Sequence, residues 1–282
     1  MAGNAKAIRT RIRSVESTMH ITKAMQLVAS SKLRRATERM EKSRFFFETM
    51  TEAFSDFGSS LGDSVYARRS GDGARVFVMI AGDRGLAGGY NSNLFKSVRE
   101  AAGDAPYSVL PIGKKAVEYC RRRGIPAIAE YSSLEDIDMR ACAEIGALLA
   151  KGFQDGRFSE IKLFFTSYVS VLSQSPCSLE LLPLRVLETK AEKSKAPHAL
   201  VLFEPSEGAV LEAVMPEYLS GLVYGATCES YASELAARRT AMDSATGNAE
   251  AMIEDLSLRY NRARQSAITQ EITEIIGGSE AE

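Results

Sequence analysis

All eight prolines of this 282-residue chain lie between Pro106 and Pro216. Proline inside a helix removes a hydrogen bond and clashes with the preceding turn, at a cost of about 3 kcal/mol. A chain that keeps it out of both ends protects long helices there. The pattern predicts one helix from the N-terminus to Phe57, roughly 85 Å long at 1.5 Å per residue, and a second from about Leu211 to Ile276, about 100 Å long. Neither can bury that length against the modest segment between them. The two ends need each other, or they need partners.

The hydrophobic share of 45% and charged share of 25% are ordinary for a soluble globular chain. No apolar run is long enough for a transmembrane helix. The opening MAGNAKAIRTRIRSVE is basic and polar and lacks the apolar stretch of a signal peptide, so a cytosolic-side protein is expected. Cys120, Cys142, Cys177 and Cys228 are scattered with no CxxC pair; buried, reduced thiols are expected rather than metal or redox chemistry. A net charge of -1 hides an uneven distribution. Eleven Lys or Arg residues stand between Met1 and Arg44 against Glu16, Glu38 and Glu41, whereas acids outnumber bases from Leu211 onward. A basic helix beside an acidic one favours pairing of the termini. Nucleic-acid binding would use the same basic segment, but that segment runs into Phe45–Phe47 with no recognisable binding module.

In the N-terminal segment Ile8, Ile12, Val15 and Met19 step by four, three and four. After a shift, Leu33, Ala36, Met40, Phe47, Met50, Phe54 and Phe57 continue the rhythm, which is that of a coiled coil. Gly58 and the run from Gly62 to Gly73 predict a flexible connection. A strand follows from Arg75 (RVFVMIAGD), then a glycine-rich turn, then a helix to about Ala102 with Asn91, Ser92 and Asn93 as candidate N-caps. Strands are further predicted at Tyr107–Ile112, Ala127–Tyr131, Ile161–Val171, Leu179–Val186 and Leu200–Phe203, and helices at Gly113–Arg123 and Leu134 to about Asp155. Strands alternating with helices imply βαβ units and a mainly parallel sheet. From Val210 the helical pattern returns, with Met242, Ala245, Ala249, Met252 and Leu256 in heptad steps among abundant alanines. The fold class is therefore a long antiparallel pair of terminal helices flanking an inserted, Rossmann-like, mainly parallel α/β domain. The divisions are 1–57 and 206–282 for the helices, 58–74 for a linker and 75–205 for the α/β domain.

Little in this pattern performs chemistry. Gly82-Asp83-Arg84-Gly85-Leu86-Ala87-Gly88-Gly89 stands between strand and helix, where a loop can cradle phosphate on its N–H groups. It lacks the GxxxxGK[ST] and GxGxxG spacings, so a tight glycine-dependent turn outweighs a nucleotide-binding loop. His20 and His198 stand alone in dissimilar segments. Asp83 has no converging partner, and Glu135, Asp136 and Asp138 open a predicted helix, where carboxylates oppose the dipole. No catalytic residue and no cofactor are expected. The ends are different: Ile21–Leu33 mixes apolar, basic and small residues, and Tyr260–Ile272 offers Arg264, Gln265 and Thr269 as donors beside an apolar tip at Ile272, Ile275 and Ile276. Such ends read as docking surfaces.

Four stretches carry a family resemblance: ITKAMQLVASSKLRRA (21–36), GDRGLAGGYNSNL (82–94), SELAARRTAMDSATGNA (233–249) and YNRARQSAITQEITEIIGGSEA (260–281). The chain resembles the gamma subunits of F-type ATP synthases along its whole length. The resemblance implies a rotor shaft whose terminal helices pass through a ring of three alpha and three beta subunits, one copy per ring. It implies an α/β domain near the epsilon subunit and the membrane c ring, and coupling of proton flow to ATP synthesis by rotation. Arg264, Gln265 and Thr269 match family positions that contact a beta-subunit loop, Met25 matches a position near the torque-transmitting region, and Glu204 resembles a foot contact with the c ring. The chain lacks the cysteine-containing insertion of chloroplast relatives, which implies a bacterial-type subunit held peripherally on the cytoplasmic face of the plasma membrane.

Overall fold

The computed structural model describes residues 2–55, 64–67, 73–184, 204 and 206–279. Helix α1 runs Ala2–Ser55 and the C-terminal helix α5 runs Glu207–Ser279. Between them come β1 (Ala74–Ile80), α2 (Tyr90–Ala102), β2 (Ser108–Ile112), α3 (Lys114–Arg123), α4 (Met139–Gln154), β3 (Phe158–Tyr168) and β4 (Gln174–Leu182). The chain divides into two compact units, Ser31–Ala237 and the paired segments Met1–Ser30 with Arg238–Glu282.

In the unit Ser31–Ala237 the four strands lie in the order β2-β1-β3-β4, with β1 parallel to both β2 and β3 and β4 antiparallel to β3. The central strand β1 is apolar on both sides because both sides are covered. Val76, Val78 and Ile80 belong to one core with α4 residues Ile145, Leu149 and Phe153 and with Leu211, Met215 and Leu219 of α5. Phe77, Met79 and Ala81 belong to the other, with Leu94 and Val98 of α2 and Ala116 and Cys120 of α3. At about 1.5–3 kcal/mol for each fully buried large aliphatic or aromatic side chain, these two faces are the main stabilising layers of the unit.

The strand expected at Ala127–Tyr131 is two isolated bridges instead, Val109 to Ala127 and Ile112 to Tyr131. Pro111 explains the interruption. Its carbonyl accepts from the Tyr131 N–H on the outer edge of β2, and on that edge proline has no N–H to return. The strand expected to reach Val171 ends at Tyr168, and the next begins at Gln174 rather than Leu179, with Ser170 and Ser173 closing the turn between them. The helix expected from Leu134 starts at Met139, capped by Asp138, whose Oδ1 accepts from the Ala141 N–H at 2.8 Å. Leu134 and Ile137 turn into the core instead, at 1% and 4% exposure. Within the expected linker, Val65–Ala67 forms a turn, with Tyr66 buried and stacked on Phe153. Leu200–Phe203, Phe57 and the polar loop Glu188–His198 lie outside the described residues.

Helix α5 begins four residues before the expected Leu211, with the Ser206 hydroxyl accepting from the Ala209 N–H. Pro216 sits inside it. There α4 approaches so closely that a side chain at Gly146 would meet the Pro216 carbonyl at 2.4 Å. Further along α5, Cys228, Ala232, Leu235 and Ala236 pack on Leu33, Ala36 and Met40 of α1, with Ala232 and Ala236 fully buried. Small residues at those positions let the two helices come close.

Burial along α1 follows an unbroken heptad: Ile8, Ile12, Val15, Met19, Thr22, Gln26, Ala29, Leu33, Ala36, Met40 and Ser43 are all buried or half-buried. The expected shift after Met19 does not occur. The rhythm continues through Thr22 and Gln26, whose polar side chains hide it from an apolar count. On α5, Ile253 rather than Met252 occupies the inward position, and Met252 is 45% exposed.

Two glycine substitutions separate packing from propensity. Gly146→Ala gains helix propensity but inserts a methyl against the Pro216 carbonyl, so it is expected to destabilise by about 1–3 kcal/mol net. Gly247→Ala, where a Cβ meets nothing within 4 Å, is expected to stabilise by up to about 1 kcal/mol. Denaturant midpoints of the isolated chain check both signs.

Candidate functional site

The glycine-rich loop is a brace. The Gly82 N–H donates to Asn91 Oδ1 at 2.9 Å, and a side chain at Gly82 would collide with the Glu234 carboxylate of α5 at 2.6 Å. The Asp83 carboxylate accepts from the backbone N–H groups of Lys114, Leu134 and Glu135 at 2.8–3.2 Å. It therefore ties the end of β1 to the start of α3 and to the turn before α4. Tyr90 donates its hydroxyl to the Ser230 carbonyl of α5 at 2.9 Å. Asn91, Ser92 and Asn93 do not cap α2; the cap position is Gly89, and the Asn91 side chain is turned to Gly82 and the Arg84 carbonyl. Gly88 and Leu86 both take left-handed backbone, and Leu86 is 64% exposed at the loop tip. The polar groups of the loop tie β1 to α3 and to the turn before α4, and Tyr90 ties α2 to α5, which is the tight-turn reading rather than a phosphate cradle.

The acidic residues after Ser133 are similarly engaged. Asp138 is a helix cap, Asp136 accepts from Ser133 at 2.8 Å, and Glu135 pairs with Lys32 of α1 at 2.6 Å. The Lys32 ammonium holds the Glu135 carboxyl below its ordinary range. His20 is exposed on α1, and His198 lies outside the described residues. Burial pushes the Cys120 and Cys177 thiols up to about 11 and Cys142 to about 12, and raises Cys228 as well. At neutral pH such thiols stay protonated and are poor nucleophiles and metal ligands. Among the described residues no cluster of His, Cys, Asp or Glu is arranged to hold a metal ion. No helix there is long and apolar enough to cross a membrane.

Two anchor sets were missed by sequence reasoning. Arg39 of α1 donates to the Ile137 carbonyl at 2.8 Å and to the Tyr224 hydroxyl at 3.1 Å, with its guanidinium over the Tyr224 ring. On α5, Ser230 accepts from the Thr166 N–H, Ser233 donates to the Thr166 carbonyl, and Glu229 accepts from the Ser167 hydroxyl and the Tyr168 N–H. β1 pairs with β3 only as far as Phe164. Beyond it the helix takes the place of a neighbouring strand, an arrangement with no local sequence signature.

In the unit formed by Met1–Ser30 and Arg238–Glu282, α1 and α5 run antiparallel. Thr22 Oγ1 lies 2.8 Å from Thr246 Oγ1, and Gln26 Nε2 donates to Asp243 Oδ1 at 2.6 Å. That register puts Arg264 level with the first residues of α1 and Met25 level with Asp243. The two expected contact positions are thus about 30 Å apart along the pair at 1.5 Å per residue. Gln265 and Thr269 are brought together on one exposed face of α5, in a shallow groove with Arg262, Ser266, Gln270 and Thr273. Arg264 is exposed beside them and carries no ion pair among the described residues, in contrast to Arg259, which pairs with Asp255 at 2.8 Å. Met25 is half-buried on α1, between exposed Ile21 and exposed Leu27 and Val28. Glu204 is exposed and belongs to the other unit.

The family described as ATP synthase matches residues 4–281. The ATP synthase gamma chain of Ruminococcus albus is 44% identical over 290 residues, covering 98% of each chain. The sodium ion specific ATP synthase gamma chain of Acetobacterium woodii is 40% identical over 300 residues, covering 100% of this chain and 99% of its own. Among solved structures, a chain of the Euglena gracilis mitochondrial ATP synthase shares the fold. It has a TM-score of 0.71 over 100% of this chain and 95% of that one, at 19% identity.

If Asp83 is a brace, Asp83→Ala leaves three backbone N–H groups without their acceptor. It is expected to cost about 2–3 kcal/mol of stability, measured by denaturant unfolding. A stability change below about 0.5 kcal/mol would show that the carboxylate is not holding the fold.

Proposed function

The chain belongs to the ATP synthase gamma-chain family, and from that premise we propose that it is the rotor of the enzyme's central stalk. In this reading one copy serves a ring of three alpha and three beta subunits, with the helix pair inside the ring. The α/β unit stands against the epsilon subunit and the c ring, which it meets through Glu204. The assembly is peripheral on the cytoplasmic face of a bacterial plasma membrane. The chain has no catalytic group of its own and needs no cofactor.

One observation carries the reading. On the helix pair, Ile21, Leu27 and Val28 of α1 and Leu258, Ile268, Ile272 and Ile276 of α5 are between 47% and 65% exposed. Large apolar side chains in such number on a two-helix element are a contact surface, and a surrounding ring supplies the cover. Arg264, Gln265 and Thr269 add a polar contact for a beta-subunit loop, where a guanidinium with no ion pair among the described residues can fork onto a carboxylate. Met25 contacts the torque-bearing region from α1.

Rotation does its work through differential contact. The shaft is asymmetric, so each angular position favours a different conformation in each beta subunit. Proton flow through the c ring turns the shaft and drives ATP synthesis. One relative is named as sodium ion specific, and in this reading the choice of ion belongs to subunits other than gamma.

In membranes carrying the assembled complex, Arg264→Ala with Gln265→Ala is expected to lower ATP-driven proton pumping roughly tenfold relative to ATP hydrolysis, the loss of one charge-assisted contact. The isolated double mutant is expected to remain folded by circular dichroism. Met25→Lys is expected to reduce pumping more than it reduces the amount of gamma chain bound. Unchanged pumping in either variant counts against the contact assigned to it.

A further inference from the structure

Apolar heptads repeat, so they specify that α1 and α5 pair but do not by themselves specify where. A slide of one heptad in the unit Met1–Ser30 with Arg238–Glu282 would bring Met19 level with Leu256 in place of Ala249, still one apolar residue on another. The polar layer breaks this degeneracy. Thr246 is 8% exposed, with its hydroxyl 2.8 Å from its own Met242 carbonyl; the Thr22 hydroxyl lies 3.0 Å from the Met19 carbonyl, and the two hydroxyls lie 2.8 Å from each other. Two protons serve these three contacts, so one hydroxyl donates across the seam while the other donates to its own helix carbonyl, with Gln26 and Asp243 bonded one turn away. After a one-heptad slide Thr22 would stand level with Ile253 and Thr246 with Ala29, and both hydroxyls would lose their cross-helix partner. A single polar position in an apolar seam is a known way to fix register at some cost in stability.

We propose that Thr22, Gln26, Asp243 and Thr246 form a register pin, positioning residues that hold the Met25 face of α1 in fixed phase with the Arg264 and Gln265 face of α5. The consequence for torque rests on the rotor reading above; the pin itself is a property of this chain.

The test is disulfide trapping in the full-length chain. Met19→Cys with Ala249→Cys reports the observed register, and Met19→Cys with Leu256→Cys reports a one-heptad slide. With the native threonines the first pair is expected to crosslink at least about tenfold faster than the second, and Thr22→Val with Thr246→Val is expected to cut that preference by about three- to tenfold, the worth of one hydrogen bond. Thr22→Ser with Thr246→Ser is expected to restore it. Should the double valine chain not fold, Gln26→Leu at its half-buried position is expected to lower the preference by about threefold. A preference unchanged in folded variants of both kinds overturns the pin. The readout needs no other subunit, so its failure and a failure of the rotor reading are distinguishable.

Discussion

The contact between α1 and α5 is the constraint on which the rest of the fold depends. Within Ser31–Ala237, Leu33, Ala36 and Met40 meet Cys228, Ala232, Leu235 and Ala236. Within the other unit, Thr22 and Gln26 meet Thr246 and Asp243. The alanines allow the close approach, and the large residues beside them supply the buried area.

Helix α5 also organises the sheet. It lies under β1 and β3 through Leu211, Met215 and Leu219, and it finishes the backbone bonding of β3 with Glu229, Ser230 and Ser233. It receives Tyr90 and accommodates Gly82 beside Glu234. The glycine-rich loop, whose sequence favours a tight turn over a phosphate cradle, is thereby explained by what it touches. The glycine at 82 answers to a buried glutamate, and Asp83 answers to three backbone N–H groups.

Much of this was legible before any coordinates. Proline exclusion at the two ends marks α1 and α5, and the apolar run Val76–Ile80 marks a strand covered on both faces. What was hidden was hidden for physical reasons. Thr22 and Gln26 occupy seam positions with polar side chains, so an apolar count loses the heptad there. Ala127–Tyr131 has the composition of a strand, but Pro111 on its neighbour lacks the donor that a continuous ladder needs. Leu134 looks like the start of a helix until Asp83, distant in sequence, takes its N–H. The assignment of Arg264, Gln265, Thr269 and Met25 as contacts is a proposal that rests on family resemblance. The structure adds that Gln265 and Thr269 share one exposed face while Met25 lies on the other helix.

The central claim is that the exposed apolar surface of the helix pair is covered by a ring of other subunits. Native mass spectrometry of this chain mixed with alpha and beta subunits, with ATPase activity followed in parallel, tests it most directly. The account predicts one copy bound per three alpha and three beta subunits, with hydrolysis gained on binding. A folded chain that stays free while alpha and beta remain competent would contradict it.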